Sequence, residues 1–275
     1  MSSMPKKILF ILGIGRSGST MLDLMLGSHS EGFSLGDISK LPEIVGRRGP
    51  TAQLSPDSTF WQDRFTPEDI VQLAKGFSGR RLHQYVPLKL EQGIRGVLGN
   101  DAIFNPYTLL FDKIQKTLLI DSSKYPHWVQ QRLQAREFTS GKLEAYVCHL
   151  VRDGRAVLNS YRRVFPDRTD EQISRNWLNN FEQSDAIYQA FPSSRRIRVR
   201  YEELATETEE TVQSVCHLLG MPFEPNMLKY WEGDHHYITG SRSARAMIAR
   251  YREQPIPDRV AAVHGTYYQN MGLGI

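Results

Sequence analysis

The sequence has 275 residues, 40% of them hydrophobic and 23% charged, enough to bury the core of one large domain or of two small ones without disulfides or metal. Lys and Arg outnumber Asp and Glu by 34 to 30, an excess that suits an anionic small ligand and falls short of the clustered positive charge of a nucleic-acid-binding module. No run approaches the roughly 20 apolar residues of a membrane span, and Cys148 and Cys216 sit in apolar runs without metal-ligand spacing, so the expectation is a soluble chain in a reducing cytoplasm.

The first element is a continuous apolar run over residues 7–14, the pattern of a strand buried on both faces. Lys6-Lys7 before it imitates a signal peptide, but the run is short and opens into a charged glycine loop rather than a cleavage site. Residues 18–28 then follow a helical period through Met21, Leu22, Met25 and Leu26. Residues 46–60 carry Gly46, Gly49, Pro50 and Pro56 among Ser and Thr and read as a mobile loop near an acceptor site. Thr66-Pro67-Glu68 is a helix start, opening a mainly helical stretch to about residue 115.

Apolar strands are predicted at Thr117–Ile120, Leu143–Val151 and Ile197–Tyr201, with helices at about 126–137, 153–164 and 206–219. Such alternation implies a three-layer α/β fold: a parallel sheet flanked by helices on both faces, here as a single domain over 1–275 with a helical insertion at about 46–115 over the acceptor side.

Between the first strand and its helix, Gly13-Ile14-Gly15-Arg16-Ser17-Gly18-Ser19-Thr20 stands where free backbone N–H groups and the helix dipole favour a phosphate. The nucleoside-triphosphate loop is G-x-x-x-x-G-K-[ST]; this one keeps both glycines and Thr20 but has Ser19 in place of the lysine, and its cation is Arg16. Without the lysine that grips β- and γ-phosphates beside magnesium, the loop favours a 5′-phosphate carrying another group. A second anion site is suggested by Cys148-His149-Leu150-Val151-Arg152-Asp153-Gly154-Arg155 and the following helix to Ser160, with Asp153 as its cap. Arg152 on its own would read as a surface ion pair.

Together these segments resemble the sulfotransferase family that uses 3′-phosphoadenosine 5′-phosphosulfate (PAPS), with a P-K/R-S-G-[ST]-T loop and an R-D-x-R-x…S segment. Leu119-Ile120-Asp121-Ser122-Ser123-Lys124, Arg200-Tyr201-Glu202-Glu203-Leu204 and Leu218-Leu219-Gly220-Met221-Pro222-Phe223 are similar to further elements of that family. Gly36-Asp37 is similar to the Gly-Glu of its bacterial and tyrosylprotein-type branch, with the shorter Asp, and Gly240-Ser241-Arg242-Ser243-Ala244-Arg245 matches its G-N-x-x-R loop loosely. The resemblance implies transfer of a sulfuryl group from PAPS to a hydroxyl or amine acceptor, releasing adenosine 3′,5′-bisphosphate (PAP), without metal or nucleic-acid partner. It implies cofactor contacts from Gly15, Arg16, Ser17, Gly18, Ser19, Thr20, Arg152, Ser160, Tyr201 and Ser241. The acceptor, a small molecule, glycan, lipid or peptide, is set by the inserted segment.

Sulfuryl transfer needs a base for the acceptor proton and positive charge where the bridging oxygen becomes phosphate. Asp37 is the candidate base, since an ordinary aspartate with a pKa of about 3.9 is ionised at neutral pH; the other role open to it is an N-cap of a helix near Ile38. Lys124 and Arg16 are the candidate catalytic cations, although a lysine after a strand can be merely solvated. His29 is the reserve base, and Tyr201 faces either adenine or the core. His235-His236 lacks a third metal ligand at suitable spacing. Arg196, Arg198 and Arg200 alternate as one polar strand face. The rival reading is a P-loop kinase or NTPase, in which Asp121 at the end of its strand would hold magnesium.

Overall fold

The structure, a computed structural model, describes residues 5–55, 59–78, 105–238 and 242–253. Five strands form one parallel sheet: β1 (Lys7–Leu12), β2 (Gly32–Gly36), β3 (Leu118–Lys124), β4 (Glu144–Val151) and β5 (Arg196–Arg200), in the order β2-β3-β1-β4-β5. Side chains of β1 alternate between two cores, as the twofold period of a strand requires. Ile8, Phe10 and Leu12 enter one apolar cluster, and Leu9 and Ile11 enter the other.

On one face lie α1 (Ser19–Gly27) and the helix Thr208–Leu219, with Leu22, Met25, Val212, Val215 and Leu219 against Leu9 and Ile11. The opposite face is covered by the inserted helices, which include α2 (Leu41–Arg48), α3 (Phe60–Arg64), α4 (Pro67–Phe77) and α5 (Pro106–Ile114). Their Leu41, Trp61, Leu73, Phe77, Tyr107 and Leu110 pack on Phe10, Phe33 and Leu35. The described part of the insertion is thus a helical layer of the core itself, rather than only a cover for the acceptor side. Residues 46–48 belong to α2 instead of a loop, and residues 79–104 of the expected insertion lie outside the described residues. Thr66 starts α4 as expected, with a reciprocal capping box to Asp69.

Three elements depart from the reading of the sequence. Strand β2 went unpredicted because glycines stand at both its ends; Gly32 is needed there, since a Cβ would meet the Leu26 carbonyl oxygen at 2.3 Å. The helix expected at 126–137 breaks into α6 (Pro126–Leu133) and the short α7 (Arg136–Thr139). Following α8 (Gly154–Val164) comes an unexpected 21-residue helix, α9 (Asp170–Ala190), which is polar and mostly exposed and so lacks the apolar period that announces a helix. Arg196, Arg198 and Arg200 do lie on an edge strand, where Arg198 pairs with Asp185.

The chain leaves β1 toward β2 on one side, while β4 and β5 extend the sheet on the other. The carboxyl ends of β1 and β4 therefore flank the topological switch point, where open α/β sheets bind ligands. The loop 13–20 follows β1, and Arg152 follows β4.

Candidate active site

The loop after β1 turns through left-handed backbone at Arg16 (φ 70°) and Gly18 (φ 91°) and delivers the chain into α1 with no side chain capping its first turn. Alternating backbone of this kind, ending at an uncapped helix N-terminus, turns N–H groups toward a common point and suits an anion. A side chain at Gly18 has no room, because its Cβ would lie 2.2 Å from the Tyr201 ring; one at Gly15 would lie 2.7 Å from the Tyr161 hydroxyl.

Arg152 ties this loop to β4. Its Nη1 donates to the carbonyl oxygen of Arg16 at 2.7 Å, and its guanidinium lies 4.2 Å from the centre of the Tyr201 ring. Arg16 in turn donates from Nε to the Ser160 hydroxyl at 2.9 Å, two turns along α8. Helix α8 is positioned by Asp153, whose side chain accepts from the Arg155 backbone N–H as an N-cap. The two anion motifs read from the sequence thus meet through direct contacts among Arg16, Arg152, Ser160, Gly18 and Tyr201. Tyr201 is 3% exposed and wedged between Gly18 and Arg152, so it supports those groups from the core side. Nε and Nη2 of Arg152 and the Ser17 hydroxyl are buried without a hydrogen-bond partner among the described residues. Buried donors of this kind are costly unless matched, and an anionic ligand would match them.

Lys124 ends β3 in left-handed backbone (φ 73°), with its carbonyl accepting from the Gly13 N–H at 3.4 Å and its Nζ on the Ser122 carbonyl at 2.6 Å. It stands beside the start of the loop. Asp37 follows β2 at the same edge of the sheet. It precedes a turn of 3₁₀ helix at Ile38–Lys40 without capping it by its side chain; its Oδ1 instead accepts from the Ser39 hydroxyl at 2.5 Å. The Ser39 N–H donates to Ser123 Oγ at 3.2 Å, next to Lys124. His29 sits at the opposite end of α1, buried, with one ring nitrogen 2.9 Å from the Pro222 carbonyl and the other accepting from the Glu31 N–H at 2.9 Å. Both nitrogens are committed, and the reserve base reading loses its basis. Ser241 lies outside the described residues.

Asp121 is buried and receives four hydrogen bonds, from the Tyr107 hydroxyl (2.5 Å), Trp128 Nε1 (2.9 Å), the Ser123 N–H (2.9 Å) and the Ser123 hydroxyl (2.5 Å). A carboxylate filled in this way is an anchor between sheet and insertion, not an open magnesium ligand. His235 bonds to the Tyr230 carbonyl and His236 stacks on Phe60, 4.5 Å between centroids, so the two point into different surroundings.

Two buried carboxyls escaped the reading of the sequence. Asp23 lies on α1 directly behind the loop, with Ser122 donating to it at 2.7 Å, and burial pushes its carboxyl up to about 7. Glu137 caps α5 through the Thr108 and Tyr107 N–H groups, and burial likewise pushes it up to about 7. The available signal for Asp23 was a lone carboxylate between Met21-Leu22 and Leu24-Met25. In the unfolded chain both groups release their protons near 4, whereas the folded chain holds them to about pH 7. The folded state therefore binds more protons between these limits, and stability falls as pH rises through them. Melting temperature is expected to drop from pH 5 to pH 8, and less steeply in Asp23→Asn; parallel slopes in thermal melts would contradict the assignment.

Residues 144–225, which run from β4 through α8, α9, β5 and the 208–219 helix, match the sequence model described as the sulfotransferase family. The chain is similar to the sulfotransferase family over this segment. Its fold is that of the sulfotransferase domain from the olefin synthase of Synechococcus PCC 7002, which is 20% identical with a TM-score of 0.60 over 98% of this chain and 96% of that one. The sulfotransferase domain from the curacin biosynthetic pathway is 19% identical with a TM-score of 0.58, each chain being covered in full. An uncharacterized protein of Aquifex aeolicus is 23% identical over 251 residues, 86% of this chain. The chain spans 28% of the length of that curated relative. No helix among the described residues is long and apolar enough to cross a membrane.

Proposed function

We propose that this single domain transfers the sulfuryl group of PAPS to a hydroxyl or amine acceptor and releases PAP. The observation that carries the reading is the contact of Arg16 and Arg152 with each other's motifs, which joins a loop suited to a 5′-phosphosulfate to a buried guanidinium suited to a 3′-phosphate. Gly15, Arg16, Ser17, Gly18, Ser19 and Thr20 hold the 5′ end, and Arg152 and Ser160 hold the 3′-phosphate. Tyr201 keeps Arg152 and the loop in register, and Ser241 remains a proposed contact on the strength of its sequence match alone.

In the transfer the acceptor oxygen forms a bond to sulfur while the bond from sulfur to the bridging phosphate oxygen breaks, and that oxygen keeps the electron pair. Arg16 and Lys124 offset the charge growing there, and the N-terminus of α1 adds its dipole. Asp37 takes the acceptor proton. The acceptor is proposed as a hydroxyl-bearing small molecule, glycan, lipid or peptide, and the two free buried cysteines accord with a cytoplasmic setting. The kinase reading is weakened by the four donors that fill Asp121 and by the missing loop lysine.

The test is binding and transfer without divalent ions. PAP is expected to bind in calorimetry, and labelled PAPS to be turned over, at full strength in excess chelator, with no comparable affinity for ATP. Turnover lost on chelation and restored by magnesium would overturn the reading in favour of phosphoryl transfer.

A further inference from the structure

The candidate base is not a lone carboxylate. Asp121 is fixed by the Tyr107 hydroxyl and the Trp128 indole from the helical layer, and Ser123 donates to it from both backbone and side chain. The Ser123 oxygen, held by that donation, accepts from the backbone N–H of Ser39 at 3.2 Å. The Ser39 hydroxyl then donates to Oδ1 of Asp37 at 2.5 Å. A continuous chain of hydrogen bonds therefore runs from the buried anchor Asp121 to the partly buried Asp37. Asp37 lies on the short turn between β2 and α2, where Ile38 and Leu41 are buried in the core and Asp37 itself is only partly buried.

We infer that Ser39 is a positioning residue for sulfuryl transfer, its hydroxyl fixing one oxygen of the Asp37 carboxylate so that the other is held toward the acceptor. The inference rests on the reading of Asp37 as the base. Fixing Oδ1 sets the rotation of the carboxylate plane and with it the direction of Oδ2. Because that direction matters only while the acceptor proton is being taken, Ser39 acts on turnover and not on the binding of PAP. Ser123 has the same purpose one bond further back, since it holds the backbone of Ser39. These two hydrogen bonds of Ser39 go to Ser123 and Asp37 rather than to the loop or Arg152, and its hydroxyl does not take part in the proton transfer itself.

The experiment is a double-mutant cycle in single-turnover sulfation, with PAP affinity and melting temperature measured on each variant. Ser39→Ala should lower turnover by about 10- to 100-fold, the range for losing a hydrogen bond to a charged group, with PAP affinity changed by less than about twofold. Ser39→Thr, which keeps the hydroxyl, should restore most of the loss. In an Asp37→Asn background Ser39→Ala should cost less than about twofold more, because residues acting as a unit are not additive. Equal losses in both backgrounds would mean that Ser39 serves only the fold and would overturn the inference. So would a Ser39→Ala variant with normal turnover beside a crippled Asp37→Asn. If Ser39→Ala does not fold, Ser123→Ala decides the matter by the same cycle. A wild-type chain that transfers nothing from PAPS, or an Asp37→Asn with normal turnover, marks instead the failure of the underlying reading, and takes the inference with it.

Discussion

Asp37→Asn is expected to lower single-turnover sulfation by about 10²–10⁴-fold, the usual contribution of a general base. The change removes the proton-accepting carboxylate while keeping an oxygen for the Ser39 hydroxyl to bond. PAP affinity should hold, since the contacts assigned to PAP come from the loop, Arg152 and Ser160, none of which touches Asp37 through Ser39 or Ser123. Melting temperature should hold as well. The alternative role, a cap for the turn at Ile38–Lys40, would predict a stability loss in Asp37→Ala, yet the carboxylate accepts from no backbone N–H of that turn. Calorimetry with PAP, a melt and a rapid-quench measurement on the same preparation separate the cases. Retained turnover with intact binding would remove Asp37 from the mechanism. His29 could not inherit the role, because both its ring nitrogens are engaged at the far end of α1.

The contrast between Asp37 and His29 shows where sequence reading reaches its limit. Both follow the loop helix closely in the chain, and residue type alone favours a histidine as base at neutral pH. What separates them is the direction of travel: α1 carries the chain away from the loop to His29, and β2 brings it back to the carboxyl edge at Asp37. Since β2 is short and bounded by glycines, nothing in its composition announced that return. By contrast β1 and β4 were legible, because a strand buried on both faces needs an unbroken apolar run. Helix α9 was illegible by apolar period but carried a readable start in Thr169 and Gln172, which form a capping box. The loop and the Arg152 segment could be recognised one by one; their meeting through Arg16 and Ser160 could not, since 144 residues separate the partners. Tyr201 was equally ambiguous until the space at Gly18 was known, for the ring that blocks a Cβ there is the one that backs Arg152.

Arg152→Ala should weaken PAP binding by about 10- to 150-fold, the equivalent of the roughly 1.5–3 kcal/mol of a charge-assisted hydrogen bond. Adenosine 5′-phosphate should lose only a few-fold, and the geometry explains why the two ligands divide. Nη1 of Arg152 serves the loop by holding the Arg16 carbonyl, and its loss loosens the site for either ligand. Nε and Nη2 are buried and unmatched among the described residues, and they are the donors assigned to the 3′-phosphate that only PAP carries. Arg152→Lys should recover the charge without the fork and fall between wild type and alanine for PAP. A second signature comes from stability. A buried guanidinium with two unmatched donors costs the free protein some of its stability, which offsets part of what is lost with the Arg16 bond and the Tyr201 stack, so the alanine variant should melt close to wild type without ligand. Saturating PAP should then raise its melting temperature much less, in proportion to the logarithm of the lost affinity. Equal losses for both nucleotides would confine Arg152 to shaping the loop. A lower melting point without ligand, together with unchanged PAP affinity, would make it a structural cation and leave the 3′-phosphate to Ser160 and its neighbours.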